Sequence, residues 1–408
     1  MANNGQRKKF HIILPLCMAV IVVLLDILFI AIPDKTSSET ENRNLQQAPK
    51  LSWNTFTTGR FESQFDDYVA DQFPFRDTWI GIETTVARLA GKTESNDIFL
   101  GSDGYLIQKF DEPTEAEYQE KLTSFTNISS AHSDLNIYAL IAPTAVSVLS
   151  YRLPANARGQ VAGDEDSFID RLMADLESAG IQTVDVRSTL KELDAAGTQV
   201  YYRTDHHWTT DAAYAAYKAF AGAAGIEESD VAYDRLLVTD SFQGTLTASS
   251  GFRTLETDNI YVYLPQETQA PSSDETTAED TASEETSSLN SAATGDANGT
   301  AVDYTVLNVD SGEKSATLYD ISYLETRDKY AMFLGGNHAE LKIQTTSQSE
   351  KNLLIMKDSY ANCFIPFLVQ DYRTIIVVDP RYYLGDLDQL ISDEGITDIL
   401  FLYNAETL

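Results

Sequence analysis

The chain has 408 residues, 43% of them hydrophobic, enough to build one large packed domain or two smaller ones. Its formal net charge of −33 repels phosphate backbones, which excludes nucleic-acid binding as a primary role. The same field disfavours strongly anionic polymers unless the active cleft is locally neutral or basic. The two cysteines, Cys17 and Cys363, lie far apart, so neither a disulfide framework nor a Cys-x-x-Cys zinc site is available.

At the N-terminus, Arg7, Lys8 and Lys9 precede an apolar run from Phe10 to Ile32 that is broken only by His11 and Asp26. About 20 helical residues cross the hydrocarbon core of a bilayer. We therefore expect a basic cytoplasmic tail over 1–9 and a single-pass transmembrane helix over 10–32. The positive-inside rule places the remainder of the chain outside the cytoplasm, at the cell membrane. The run is longer than a signal-peptide core, and Ala31-Ile32-Pro33 is a poor cleavage site. Residues 33–50 read as a polar tether and 51–408 as an extracytoplasmic domain.

Apolar spacing predicts helix from Asn54 to Leu89, interrupted at Phe73-Pro74-Phe75. A strand–turn–strand comes after it, Ile98–Leu100 and Tyr105–Ile107 around the Asp103-Gly104 turn. Next are helix 115–130, strand 136–142 ending at Pro143, helix 166–178 stopped by Gly180, strand 181–186, and an alanine-rich helix 210–224 capped by Thr209 or Thr210. Near the C-terminus, strands at 352–356, 374–378 and 398–403 alternate with helical patterns at 360–370 and 385–392. This alternation implies an α/β fold with a mainly parallel central sheet covered on both faces.

Residues 266–302 break the pattern. They are rich in Ser, Thr, Ala, Glu and Asp, with eight acidic residues, no basic ones and no aromatics. Such a segment buries too little apolar surface to offset its ordering entropy, so we expect a disordered insertion on the domain surface.

Of five histidines, His206 and His207 are adjacent, within Asp205-His206-His207-Trp208. Asp205 and His207 lie two apart, just before a helix, so the carboxylate can accept the imidazole Nδ1–H and stabilise an imidazolium. Trp208 would shield the pair from water. The nucleophile candidate is Ser359, in Met356-Lys357-Asp358-Ser359-Tyr360, at the C-terminal end of a strand where a helix begins. Ligand sites in open parallel sheets form there, and free N–H groups stabilise an oxyanion. Leu334-Gly335-Gly336-Asn337-His338 offers Gly336 and Asn337 as further oxyanion donors. His206, Trp208 and Tyr360 are candidates for the substrate cleft. A metal hydrolase built on His206, His207 and His338 is disfavoured, because adjacent histidines rarely point at one ion.

Asp205-His206-His207-Trp208 is the signature of the bacterial DHHW family, which resembles the SGNH-hydrolase-like domain of the alginate O-acetyltransferases AlgX and AlgJ. Phe73-Pro74-Phe75-Arg76-Asp77, Leu100-Gly101-Ser102-Asp103-Gly104-Tyr105-Leu106 and Ala142-Pro143-Thr144 extend the resemblance over roughly 50–408, excepting the insertion. The chain order Asp205, His207, Ser359 is the reverse of that in ordinary SGNH hydrolases. The resemblance implies an SGNH-like three-layer sandwich with Ser359 as nucleophile, His207 as base and Asp205 as orienter. Two features depart from the pattern: the serine block reads Lys357-Asp358-Ser359 rather than Gly-Asp-Ser, and there is no separate carbohydrate-binding module after the catalytic domain, so alginate itself is not implied.

The reading is a serine-dependent transfer of an acyl group, acetyl by preference, to a cell-surface or exopolysaccharide. It calls for no cofactor and no metal, and a membrane partner would hand over the acyl donor. The alternatives are a carbohydrate esterase using the same triad and a non-catalytic glycan-binding protein of envelope assembly.

Overall fold

The computed structural model describes residues 4–38, 43–159, 161–227, 231–252, 256–266 and 302–408. Nearly all of the acidic insertion expected at 266–302 lies outside the described residues. The chain divides into two compact units, Met1–Lys92 with Gly251–Arg253, and Thr93–Ser250 with Thr254–Leu408.

The first unit is helical. Asn4–Ala31 forms one helix, followed by a short antiparallel pair, Ser37–Ser38 with Arg43–Asn44. The expected helical stretch 54–89 is three helices, Trp53–Thr57, Arg60–Asp71 and Arg76–Leu89, broken around Pro74 as its fixed φ and missing N–H require. Tyr68 packs edge-on against Phe29 and donates its hydroxyl to Asp34. Among the described residues no helix is long and apolar enough to cross a membrane, so the transmembrane helix expected at 10–32 is not borne out by them.

The second unit is α/β. Its central sheet has eight strands, numbered in chain order: β1 (Asn136–Ala142), β2 (Gln182–Val184), β3 (Tyr304–Asn308), β4 (Lys314–Ser315), β5 (Glu340–Thr345), β6 (Asn352–Lys357), β7 (Thr374–Val378) and β8 (Asp398–Asn404). Their spatial order is β4-β3-β5-β7-β6-β8-β1-β2. β7, β6, β8, β1 and β2 pair in parallel. β5 joins β7 antiparallel, and β3 and β4 continue antiparallel beyond it. The sheet is therefore mixed, not mainly parallel as expected. β1, β6, β7 and β8 are buried almost end to end, and their continuous apolar runs are legible in the sequence. β3 and β5 are only partly buried, as an antiparallel margin open to water on one side permits, and their mixed composition gave no comparable signal.

Helices cover both faces. Ala139 pairs with Phe401 across β1 and β8, so Tyr138, one residue away, points to the opposite face from Phe401. Phe125 of helix Glu115–Ala131 packs at a tilt against Phe401, and Phe220 of helix Thr210–Ala223 meets Tyr138 edge-on. One helix thus lies on each side of the sheet, which makes three layers. Sequence signals set the helix ends: Thr114 and Glu117 form a reciprocal capping box, and the Thr209 side chain accepts from Ala212 N–H.

Candidate active site

Residues after the C-terminal ends of four parallel strands line one cavity of about 490 Å³: Thr144 after β1, Ser359 after β6, Arg381 after β7, and Glu406 after β8. Open α/β sheets bind ligands in this position, because the strand ends deliver loops from several neighbours to one crevice.

Asp205, His206 and His207 reach the cavity on a tight loop. Tyr201 and Trp208 pair across its base, and Tyr202 N–H donates to His207 O. Buried Asp258 holds the loop by accepting from Arg203 N–H (2.9 Å), Thr204 N–H (2.8 Å) and the Thr204 hydroxyl (2.6 Å). The loop brings together residues the sequence placed 152 positions apart. His207 Nδ1 lies 2.6 Å from Asp205 Oδ1, and His207 Nε2 lies 2.7 Å from Ser359 Oγ. An ionised carboxylate only accepts, so Nδ1 carries the ring proton and Nε2 is left to accept from the serine hydroxyl.

Asp205 is fully engaged. Oδ1 also accepts from His207 N–H (3.0 Å), while Oδ2 accepts from Thr245 N–H (2.9 Å) and the Thr245 hydroxyl (3.0 Å). Burial by itself would raise this carboxyl. The adjacent imidazoles and the hydrogen bonds from His207 outweigh it and hold Asp205 well below the ordinary carboxylate range. Burial and the neighbouring His207 pull His206 down to about 4, so it is neutral at pH 7 although a third of its side chain is open. His206 Nδ1 lies 3.0 Å from the Thr245 hydroxyl, which itself donates a hydrogen bond to Asp205 Oδ2.

Thr245 and its neighbour Gly244 escaped sequence reasoning, as did Tyr330. The Tyr330 ring stacks on His207 at 3.8 Å with a 13° interplanar angle, and its hydroxyl donates to Ser359 O (3.0 Å). Trp208 is buried and donates its indole N–H to Tyr360 O (2.9 Å), while the Tyr360 hydroxyl donates to His206 O. Of the three candidate cleft residues, His206 and Tyr360 line the cavity; Trp208 instead fastens the nucleophile's backbone to the histidine loop.

The helix expected after Ser359 is a pair of short 3-10 turns, Ser359–Cys363 and Ile365–Gln370. Pro366 lacks an N–H and cannot donate back to the preceding turn, which interrupts a continuous α-helix, while Asp358 caps the first turn by accepting from Tyr360 N–H (2.9 Å). A one-turn segment has little dipole, which leaves the Ser359 amide as the local donor; among the described residues no hydrogen bond engages it. Gly336 and Asn337 do not line the cavity. Gly336 N–H donates to Phe333 O, and Asn337 Oδ1 accepts from Lys357 Nζ (2.8 Å) and the Asn362 amide (3.2 Å). Lys357, the departure from Gly-Asp-Ser, is buried among these amides 3.9 Å from Asp379, and burial lowers it to about 8.

Asp205, His206 and His207 offer ligand atoms within 4.8 Å of one another, yet His207 already uses both ring nitrogens. His338 is tied elsewhere, Nδ1 to Asn308 and Nε2 to Leu334 O, so the three-histidine set is not assembled.

On the cavity wall, Thr144 donates its N–H (2.6 Å) and hydroxyl (2.7 Å) to buried Glu165. Burial pushes Glu165 from 4.5 up to about 7. Between those values the folded chain keeps a proton the unfolded chain has lost, so stability falls as pH rises through this window and is level above it. The full loss is roughly 3 kcal/mol. Glu165→Gln, neutral throughout, is expected to lose less melting temperature than wild type between about pH 4.5 and 8 in scanning calorimetry. Equal slopes for the two proteins would reject this.

The fold is a mixed α/β SGNH-like sheet, and Asp205, His207 and Ser359 form one hydrogen-bonded chain at its strand ends. Residues 98–293 match the family model described as the SGNH hydrolase-like domain of the acetyltransferase AlgX. The match takes in Asp205 and His207 and stops before Ser359. A DHHW family protein from Eubacterium siraeum resembles the structure with a TM-score of 0.56 at 23% identity, over 76% of this chain and 92% of that one. Bacillus cereus PatB1 gives 0.57 at 19%, over 76% and 96%. At these identities the likeness establishes the fold alone. No curated relative matches. The resemblance read from the sequence is borne out, and the matched model supports acyl transfer or ester cleavage as the class of chemistry.

Proposed function

We propose that the chain is a serine-dependent O-acyltransferase that moves an acetyl group to a hydroxyl of a cell-surface polysaccharide. The observation that carries this reading is the continuous hydrogen-bond chain Asp205–His207–Ser359, 2.6 and 2.7 Å, opening into a cavity. As Ser359 Oγ bonds to the acyl carbon, its proton passes to His207 Nε2, and Asp205 stabilises the imidazolium. The carbonyl oxygen becomes an oxyanion beside the Ser359 N–H. When the tetrahedral centre collapses, the donor's alcohol oxygen leaves with the proton from His207. A sugar hydroxyl then gives its proton to His207 and bonds to the acyl carbon, and Ser359 Oγ departs and regains that proton. Water in place of the sugar gives hydrolysis by the same steps.

A solved structure of Bacillus cereus PatB1 carries a sulfonyl adduct, which supports a test with such electrophiles. We further place the catalytic unit outside the cytoplasm and attached to the membrane. The basic-then-apolar N-terminus and the exposed apolar side chains from Leu16 to Ile30 support this. A membrane-impermeant sulfonyl fluoride should label Ser359 in the purified protein and on intact cells, and should spare Ser359→Ala. Absence of label on purified protein would overturn the serine assignment; label on purified protein but not on intact cells would overturn the placement.

A further inference from the structure

The acyl-transfer reading leaves open which acceptor the site takes, and the wall opposite the histidine loop bears on it. Glu406 lies on a 3-10 turn, Ala405–Thr407, directly after β8, and lines the same cavity as Ser359. One buried carboxylate fixes both residues. Asp358 Oδ1 accepts from Tyr360 N–H, next to the nucleophile. Its Oδ2 accepts from Asn404 N–H (2.7 Å), the Asn404 amide (2.8 Å) and the Thr407 hydroxyl (2.6 Å), which bracket Glu406. Asn404 Oδ1 also accepts from Glu406 N–H (2.8 Å). The Glu406 backbone is therefore fixed relative to Ser359; its half-buried carboxyl accepts from Asp111 N–H (3.3 Å) and the Gln108 side chain, and burial pushes it up to about 7.

The charges around it are unbalanced. Of the ionisable groups lining the cavity, Asp97, Asp111 and Glu406 are acidic, and Lys109 and Arg381 are basic. Both cations are already matched: Lys109 lies 2.5 Å from Asp111, and Arg381 grips buried Asp379 through Nε (2.9 Å) and Nη2 (2.6 Å). A carboxylate-bearing sugar entering here would meet Asp97 and, once ionised above about pH 7, Glu406, added to the −33 of the whole chain. Sugar hydroxyls, by contrast, donate well to a fixed carboxylate.

We propose that Glu406 is a positioning residue for the acceptor, taking hydrogen bonds from hydroxyls of a sugar without a carboxylate, so that the site acylates neutral or amine-bearing glycans in preference to polyuronates. This rests on the acyl-transfer reading above. The test uses the full chain, a chromogenic acetyl ester as donor, and three acceptors: a neutral gluco-oligosaccharide, a glucosamine oligomer and an oligouronate. Transfer to the first two is expected at a KM at least tenfold below that for the oligouronate. Glu406→Gln should raise the KM for the neutral acceptor about five- to tenfold with a smaller change in kcat, and Glu406→Asp should recover part of the loss. Preference for the oligouronate, or an unchanged acceptor KM in Glu406→Gln, would overturn the assignment. If Ser359 becomes acylated and the Glu406 variant binds acceptor normally, only this inference falls. If Ser359 is never acylated, the acyl-transfer reading falls and takes this inference with it.

Discussion

Ser359→Ala and His207→Ala are each expected to lower turnover of a chromogenic acetyl ester by about 10⁴-fold or more, and the double variant should be little worse than either single one. The reason is that one proton path serves both halves of the reaction: Oγ is nucleophilic only while Nε2, 2.7 Å away, takes its proton. Asp205→Asn should cost a comparable factor by another route. An amide at this position can present an N–H to Nδ1, which favours the tautomer with Nε2 protonated, and that form cannot act as base. All three side chains are buried or nearly so at the cavity, so circular dichroism and melting temperature must accompany the rates. If every variant retained turnover within tenfold of wild type while remaining folded, the triad would have no part in catalysis.

Gly244→Ala is expected to be nearly as damaging, although Gly244 carries no functional group. A Cβ built there would lie 2.2 Å from Asp205 Cβ and 2.3 Å from Asp205 Oδ2. Those atoms belong to a short side chain held by four hydrogen bonds, so the carboxylate must move rather than swing aside. Any movement lengthens the bond to His207 Nδ1, and misplacement of about 1 Å near reacting groups costs on the order of 10²-fold in rate. Overpacking of this kind also destabilises by about 1–3 kcal/mol. The measurement is kcat and melting temperature for Gly244→Ala beside Gly222→Ala, where an added Cβ meets nothing within 4 Å. The control should behave as wild type. Near-normal kcat in Gly244→Ala would mean that the Asp205 position is not what the reaction requires.

The sequence exposed those parts of the site whose residue types are scarce or locally patterned. Five histidines left few choices of base, and Asp205 two residues before His207 already suggested the orienting carboxylate. Ser359 could be placed because β6 is a continuous apolar run, so its end is visible. Tyr330 left no trace, since one tyrosine among 21 is unremarkable until its ring is found on His207. Gly244 carried a faint signal: a glycine permits close backbone approach, but what approaches it comes from 39 residues earlier. Glu406 and Asp258 act through contacts with segments far along the chain, and isolated acids are common in so acidic a sequence.

By itself the sequence determined the local elements and the chemistry on offer: buried parallel strands, capped helices, and an Asp-x-His pair with a serine at a strand end. These arise from periodicity and residue type, which act over a few neighbouring positions. Only the tertiary structure decided that the sheet is mixed, that the nucleophile heads a 3-10 turn, and that Gly244, Thr245, Tyr330 and Glu406 gather around Ser359 and His207. Those outcomes depend on which distant segments pack together, and long-range packing leaves no periodic mark on the chain that it brings together.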